Sequence, residues 1–119
     1  MYLLATRRVR GLGSQRNAPW VAGCERCRGH LVALCASAGF EPHIVYESDD
    51  MVLIQSLVAA NLCVATLPGL ALRAHHLDGV IATKLNVLPR RIYAATYGDS
   101  DPPAVATLLA AVTKSARSA

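Results

Sequence analysis

The chain has 119 residues, of which 53% are hydrophobic and 17% charged, and its formal net charge is +4. This length suits one domain, and the apolar share excludes an intrinsically disordered chain. Four cysteines without a secretory signal indicate free thiols in a reducing compartment, so we expect a cytoplasmic protein. Six of the twelve lysines and arginines precede residue 29, a pattern typical of nucleic-acid contact or of a solvated surface; we favour the solvated surface.

Short apolar runs alternate with stretches of helical periodicity along the whole chain. Strands are predicted at residues 2–6, 19–22, 43–47, 62–67, 80–83 and 91–97. Helices are predicted from about Arg26 to Gly39, from Ser48 to Asn61, from Pro68 to about Ala74, and from Pro103 onward. Residues 7–17 form a predicted loop and residues 98–103 a predicted turn. Regular alternation of strand and helix predicts an α/β fold.

The segment 48–72 is the most regular of these stretches. Ser48 or Asp49 is the expected helix cap, with Asp50 in the first turn, and Asn61 should end the helix in the left-handed conformation. Residues 51–72 carry no charge, and this charge-free run is long enough to span a membrane. Polar side chains and the Pro68-Gly69 step interrupt this run, so we expect a soluble helix and buried strand instead, with no membrane contact.

The order of these segments resembles the effector-binding domain of LysR-type transcriptional regulators. In that family a helix ends in an alanine-glycine-aromatic step before a proline and a strand. A helix with a leucine-valine pair then leads through a turn to an apolar strand and a proline. The corresponding residues here are Ala38, Gly39, Phe40, Pro42, Leu57, Val58, Asn61 and Pro68. The resemblance extends from Tyr2 to about residue 116.

The resemblance implies a periplasmic-binding-protein-like (type 2) lobe, with a mainly parallel sheet flanked by helices. Residues 1–82 would form the second lobe, and residues 83–119 the crossover strand and terminal helix of an incomplete first lobe. The expected function is binding of a small-molecule effector in a cleft, without catalysis, and the expected assembly is a homodimer. The chain shows no counterpart of the family's DNA-binding helix-turn-helix, so we expect a fragment, a truncated gene product or a late start codon on a longer reading frame.

The resemblance also implies the effector-binding residues, which lie where helices begin after strands. The first group follows Trp20 and comprises Gly23, Cys24, Glu25 and Arg26; the second comprises Asp49 and Asp50. Backbone amides at a helix start and an arginine favour an anion, whereas Glu25 opposes one, so the charge of the effector stays open. For the two aspartates, simple capping is the competing interpretation.

The Cys24-x-x-Cys27 motif at a helix start supports an alternative, a small redox or metal-responsive protein. A zinc site would use both thiols and His30 but requires a fourth ligand, so we expect no metal and no cofactor. Ordinary thiols at a pocket rim are a third interpretation. The His75-His76 pair and the Arg90-Arg91 pair are expected at the surface. No nucleophile motif or phosphate loop is evident in the sequence, so we do not expect an enzyme.

Overall fold

Strands and helices alternate in the computed structural model, which describes residues 1–98 and 102–118. The strands are β1 (Tyr2–Ala5), β2 (Pro19–Ala22), β3 (His43–Glu47), β4 (Ala65–Leu67) and β5 (Ile81–Lys84). The helices are α1 (Glu25–Ser37), α2 (Met51–Ala59), α3 (Gly69–Ala74) and α4 (Pro103–Ser118), and a 3-10 turn spans Leu12–Gln15. The α/β prediction is therefore confirmed, and five of the six predicted strands are present.

One bridge joins two small sheets into a continuous layer. β2 pairs in parallel with β3, while β1 lies between β4 and β5 and is antiparallel to both. Hydrogen bonds from Val21 N to the Val64 carbonyl (3.1 Å) and from Val64 N to the Pro19 carbonyl (2.8 Å) connect β2 to the chain leading into β4. The strand order is thus β3-β2-β4-β1-β5.

The expectation of a mainly parallel sheet is correct for strand direction but wrong for the pairing around β1. Four strands run the same way, and β1 runs against them, so both of its ladders are antiparallel. The reason lies in the pattern of β1, which is apolar at nearly every position. Such a strand is buried on both faces in either orientation, and its sequence therefore does not specify its direction.

Alternate residues of the strands supply a core on each face of the layer. Leu3, Trp20 and Val64 pack on one face with Leu31 and Cys35 of α1. The opposite face carries a second cluster of strand and helix residues: Leu4, Val21, Ala65, Ile54 and Val58 of α2, and Ala71 of α3. Both faces are therefore covered by helices, as in other α/β proteins.

The ends of α2 follow local backbone chemistry. Asp50, rather than the predicted Ser48 or Asp49, is the N-terminal cap: its carboxylate accepts hydrogen bonds from Val52 N (2.8 Å) and Leu53 N (3.1 Å). The Ser48 hydroxyl instead accepts from Asp50 N at 3.1 Å. At the other end Asn61 has φ 57°, which confirms the predicted left-handed stop.

Gln55 is a buried polar side chain that fastens α2 to the segment after α3. Its side chain is fully buried, its amide nitrogen donates to the His75 carbonyl (3.0 Å), and its amide oxygen accepts from Leu77 N (2.8 Å). Two backbone groups outside regular structure are thereby satisfied. This residue fixes the path of the chain between α3 and β5.

The C-terminal part of the chain departs most from expectation. Residues 91–97 form neither strand nor helix, so the strand predicted there is wrong. Their side chains are exposed, Tyr97 completely, because no neighbouring strand supplies hydrogen-bond partners and β-propensity alone cannot replace them. The predicted turn at 98–103 falls partly outside the described residues, which omit 99–101.

The final helix α4 forms as predicted, but none of its described residues is buried. Leu108 and Val112 of its apolar stripe are 63% and 49% exposed. The radius of gyration is 17.0 Å, whereas a compact chain of this length has about 13 to 14 Å. The region from residue 86 onward therefore extends from a compact body formed by residues 1–85.

The charge-free run 51–72 is divided among α2, β4 and α3. Among the helices within residues 1–98 and 102–118, not one combines the length and apolar character required to cross a bilayer. Burial in the two cores accounts for part of its composition, whereas five large apolar side chains of the run are exposed: Met51, Val52, Leu53, Leu62 and Leu70.

Candidate functional site

A cleft opens at one edge of the layer, where three parallel strands end and three helices begin. β2 leads into α1, β3 into α2 and β4 into α3, so the carboxyl ends of the strands and the amino ends of the helices meet there. The cleft has a volume of about 220 Å³. In open α/β sheets, ligands bind in the crevice outside the carboxyl ends of the strands. The topology therefore marks this cleft as the candidate site.

The cleft has an apolar floor and a polar rim. Buried side chains of the floor include Val21, Leu31, Ile54, Ala65 and Leu67. The polar residues that line it are Cys27, His30, Ser48, Asp49, Thr66 and Arg90. Apolar surface with a few convergent polar groups is the usual composition of a small-molecule site.

Two of the six residues predicted to bind an effector line the cleft. Gly23 and Asp49 are at its wall. Cys24, Glu25 and Arg26 are exposed in the first turn region of α1 and are not among the lining residues. Asp50 is also outside the wall, since its carboxylate caps α2. The cleft thus lies at the edge of the sheet where the site was expected, and binding of an effector by any of the six residues stays a prediction.

Gly23 is where the backbone of the β2–α1 turn passes closest to its neighbours. A Cβ atom at this position would lie 3.0 Å from Cys27 Cβ and 3.5 Å from Asp49 Oδ1. The first distance is tighter than ordinary van der Waals contact, so a larger residue would displace Cys27 or narrow the cleft. Glycine keeps both the turn and the cleft wall in place.

Several lining residues were not predicted as effector contacts. Cys27 and His30 follow Gly23 at i+4 and i+7, which is one face of a helix, so helical spacing could have identified them. Thr66 immediately precedes the predicted strand end, and Ser48 had been considered only as a cap. Arg90 was expected at the surface; it is exposed and also lines the cleft. No local pattern signals that position.

The rim combines opposite charges. Asp49 lies beside the start of α2, and Arg90 reaches the cleft from the irregular segment after β5. The amino ends of α1 and α2 add partial positive charge from unpaired backbone N–H groups. The site can accept an anionic group near Arg90 and a hydrogen-bond donor near Asp49.

Cys24 and Cys27 are both free thiols, and their Sγ atoms lie 3.2 Å apart. The hydrogen bond between the two thiols lowers the pKa of Cys24 and raises the pKa of Cys27. Within the described residues no group of three or more histidine, cysteine, aspartate or glutamate side chains is arranged to hold a metal ion. The geometry thus supports a thiol pair but provides no metal centre there.

A covered α/β layer with a cleft at its strand ends is an architecture typical of small-molecule-binding lobes. Within that class, the family of the LysR substrate binding domain matches residues 2–117, and the chain belongs to this family. Domains of this family are parts of transcriptional regulators and generally are not enzymes. No curated protein sequence matches the chain significantly. The resemblance seen in the sequence is confirmed, together with the α/β fold that the family implies.

Proposed function

We propose that this chain is the effector-sensing region of a LysR-type transcriptional regulator and that it binds a small metabolite in the cleft. The observation that carries the proposal is the position of the cleft at the edge of the layer where the carboxyl ends of β2, β3 and β4 lie together. Binding would favour one of two arrangements of the regulator's subunits, which is a shift of population and not catalysis. Family membership favours this function over a separate redox or metal-responsive protein.

The size of the cleft favours a small effector. Its volume of about 220 Å³ is below the ~300–1,000 Å³ of sites that hold drug-sized ligands. Among the groups at the rim, the Arg90 guanidinium can form paired hydrogen bonds to a carboxylate, and the Asp49 carboxylate can accept from a hydroxyl or ammonium group. We therefore expect a small polar carboxylate, such as a hydroxy acid or an amino acid.

A thermal-shift screen tests this proposal. The panel contains short dicarboxylates, hydroxy acids, amino acids and aromatic acids, with uncharged sugars as a comparison class. A ligand that binds only the folded state stabilises it by about 2.7 kcal/mol at one hundred times its Kd. We expect members of the carboxylate classes to raise Tm and the sugars to leave it unchanged.

Two variants with matched charge changes locate the binding site. Asp49→Asn alters the rim, whereas Asp78→Asn removes an exposed carboxylate that does not line the cleft. We expect at least a tenfold weaker Kd by calorimetry for Asp49→Asn, about 1.4 kcal/mol, and no change for Asp78→Asn. Equal affinity in both variants, or no binding by any compound to folded protein, would contradict the proposal.

We also propose that residues 1–82 form one lobe and residues 83–119 lead toward a second lobe. The exposure of α4 and of residues 91–97 supports this division. One hydrogen bond, from Leu85 N to the Met1 carbonyl (3.0 Å), fixes the point at which the chain leaves the layer. Limited proteolysis should cleave first between residues 88 and 102. Initial cleavage within α1 or α2 would show that the body is not the stable unit.

We propose a homodimer that covers the apolar stripe of α4. Leu108 and Val112 expose large apolar side chains one helical turn apart. Light scattering on a size-exclusion column should give a dimer, and Leu108→Lys/Val112→Lys should give a monomer. Ala106→Lys/Ala110→Lys adds the same charges at the same spacing away from this stripe and should remain dimeric. A monomeric parent protein would contradict the proposed dimer.

A further inference from the structure

The thiol pair at the start of α1 is built differently from the other two cysteines of the chain. Cys24 is the N-cap residue of α1, but its side chain makes no capping hydrogen bond to the helix backbone. Cys24 and Cys27 are exposed, and their Sγ atoms are 3.2 Å apart. Closing that distance to the ~2.05 Å of a disulfide requires a movement of only about 1 Å. The pair therefore needs no rearrangement of the fold to be oxidised.

The two thiols have unequal reactivity. The hydrogen bond donated by the Cys27 thiol stabilises a Cys24 thiolate and lowers the pKa of Cys24. The amino end of α1 adds favourable partial charge at the same sulfur. Cys27 has a raised pKa because it shares its proton with Cys24 and because it is partly desolvated. Cys24 is thus the attacking thiol, and Cys27 is the resolving thiol.

Cys35 and Cys63 provide an internal comparison. Both are buried in the two cores, and burial raises the pKa of each thiol to about 11. Thiolate concentration and access both control the rate of thiol–disulfide exchange. These two cysteines should remain unreactive in the folded protein.

We propose that Cys24 and Cys27 form a redox-active dithiol that low-molecular-weight disulfides, of the glutathione type, convert reversibly into an intramolecular disulfide. This site is an addition to the effector cleft and does not depend on any effector. Cys27 also lines the cleft wall, and its Sγ atom lies 3.5 Å from the position that a Cβ at Gly23 would occupy. If the proposed function holds, oxidation therefore changes the wall that contacts the effector.

The exchange proceeds in two balanced steps. The Cys24 thiolate attacks one sulfur of the small disulfide, the original S–S bond breaks, and one small thiolate leaves as a mixed disulfide forms on Cys24. Cys27 loses its proton to solvent and attacks Sγ of Cys24, which releases the second small thiolate. The leaving thiolates take up protons, so the protein dithiol loses two hydrogens and the small disulfide becomes two thiols.

Mass spectrometry of the intact folded protein in glutathione buffers of graded oxidation tests the proposal. The parent protein should lose the mass of two hydrogens without retaining glutathione, and a reductant should restore the original mass. Cys27→Ser should retain one glutathione on Cys24, because the resolving thiol is gone. Cys24→Ser should react at least tenfold more slowly, since Cys27 lacks the lowered pKa. The double variant keeps Cys35 and Cys63 and should not react.

A second measurement separates the thiol pair from any effect of folding. The pH profile for alkylation of Cys24 by iodoacetamide should shift upward in Cys27→Ala, because the stabilising hydrogen bond is lost, while far-UV circular dichroism stays unchanged. Accumulation of two glutathiones on the parent protein, equal rates for Cys24→Ser and Cys27→Ser, or an unshifted alkylation profile would overturn the proposal. None of these readouts requires an effector, so failure here and failure of the proposed function are distinguishable.

Discussion

The body (residues 1–85) and the C-terminal region (residues 86–118) show similar apolar patterns in sequence but fold differently. In the body, apolar residues pair across strands and pack under helices, and Trp20 and Leu3 are completely buried. In the C-terminal region α4 forms as predicted, yet none of its described residues is buried. Ile92 and Tyr93 are about as exposed, at 75% and 76%, as residues of an unfolded segment.

This difference shows that hydrophobic periodicity predicts a helix or a strand but not the segment against which it packs. A strand becomes stable only when a neighbour satisfies its backbone groups, and an amphipathic helix becomes buried only when a complementary surface is present. The body supplies both for its own elements. The C-terminal region contributes Val87 to the core of the body and Arg90 to the lining of the cleft, and α4 exposes apolar side chains.

The largest expected effect comes from exchanging aromatic side chains for alanine in the two regions. Trp20 is completely buried where the two sheets join, contacts Phe40, and donates from Nε1 to the Gln15 carbonyl at 3.2 Å. Trp20→Ala should lower the free energy of unfolding by about 3–5 kcal/mol. Tyr97→Ala, at a completely exposed position, should change it by less than about 0.5 kcal/mol. Urea titration followed by circular dichroism measures the free energy of unfolding of both variants. Similar losses in the two variants would contradict the difference between the body and the C-terminal region.

Gln55→Leu should have the next largest effect, although it increases apolar character. The substitution removes the amide group that donates to the His75 carbonyl and accepts from Leu77 N, so both backbone groups lose a hydrogen-bond partner. We expect a loss of about 1–3 kcal/mol in the free energy of unfolding. Ser56→Ala, on the exposed side of the same helix, is the control and should stay within about 0.5 kcal/mol. A neutral Gln55→Leu would show that the segment after α3 is held by packing alone.

Two adjacent aspartates give a smaller and sharper contrast. Asp50→Ala removes the cap that accepts from Val52 N and Leu53 N, and it should cost about 1 kcal/mol. Asp49→Ala removes a carboxylate that lines the cleft without capping α2, and its effect on stability should be negligible. Thermal unfolding of both variants measures the difference. The opposite order would make Asp49 the cap of α2, which is one of the two positions expected from the sequence.

The smallest effect should follow removal of residues 88–119. Val87 is the last residue that packs against the core of the body, and Leu88 is already 93% exposed. The shortened chain should therefore unfold with a free energy within about 1 kcal/mol of the parent. Chemical denaturation of the two chains at several protein concentrations measures this. A loss comparable to that of Trp20→Ala would mean that the C-terminal region is part of the body's core.

Much of the fold could be predicted from the sequence because its signals are local. The helix stop at Asn61, the strand at His43–Glu47 and the helix α2 depend on nearby residues, and the structure confirms them. The antiparallel placement of β1 depends on contacts with β4 and β5 far along the chain, and a uniformly apolar strand carries no information about it. The strand predicted at 91–97 is absent for a related reason. Its sequence pattern has β-propensity but does not specify a neighbouring strand with which it could pair.

The sequence indicated the edge of the sheet at which the candidate site lies, but not most of the side chains that line the cleft. The starts of α1 and α2 were expected at the cleft, and Gly23 and Asp49 line it. The face of α1 that lines the cleft carries Cys27 and His30. The residues at the start of α1 are not on this face, and none of Cys24, Glu25 and Arg26 lines the cleft. Arg90 comes from a segment without periodicity, so only three-dimensional structure could bring it to the site.

The central claim is that the strand-end cleft binds a small carboxylate, and hydrogen exchange with mass spectrometry tests it most directly. Exchange is compared with and without the carboxylate that gives the largest thermal shift. The account predicts slower exchange at residues 22–30, 48–54 and 66–70 and around Arg90, with α4 unchanged. Protection confined instead to the opposite edge of the sheet, around Thr6 and Asn61 where a second pocket lies, would contradict it.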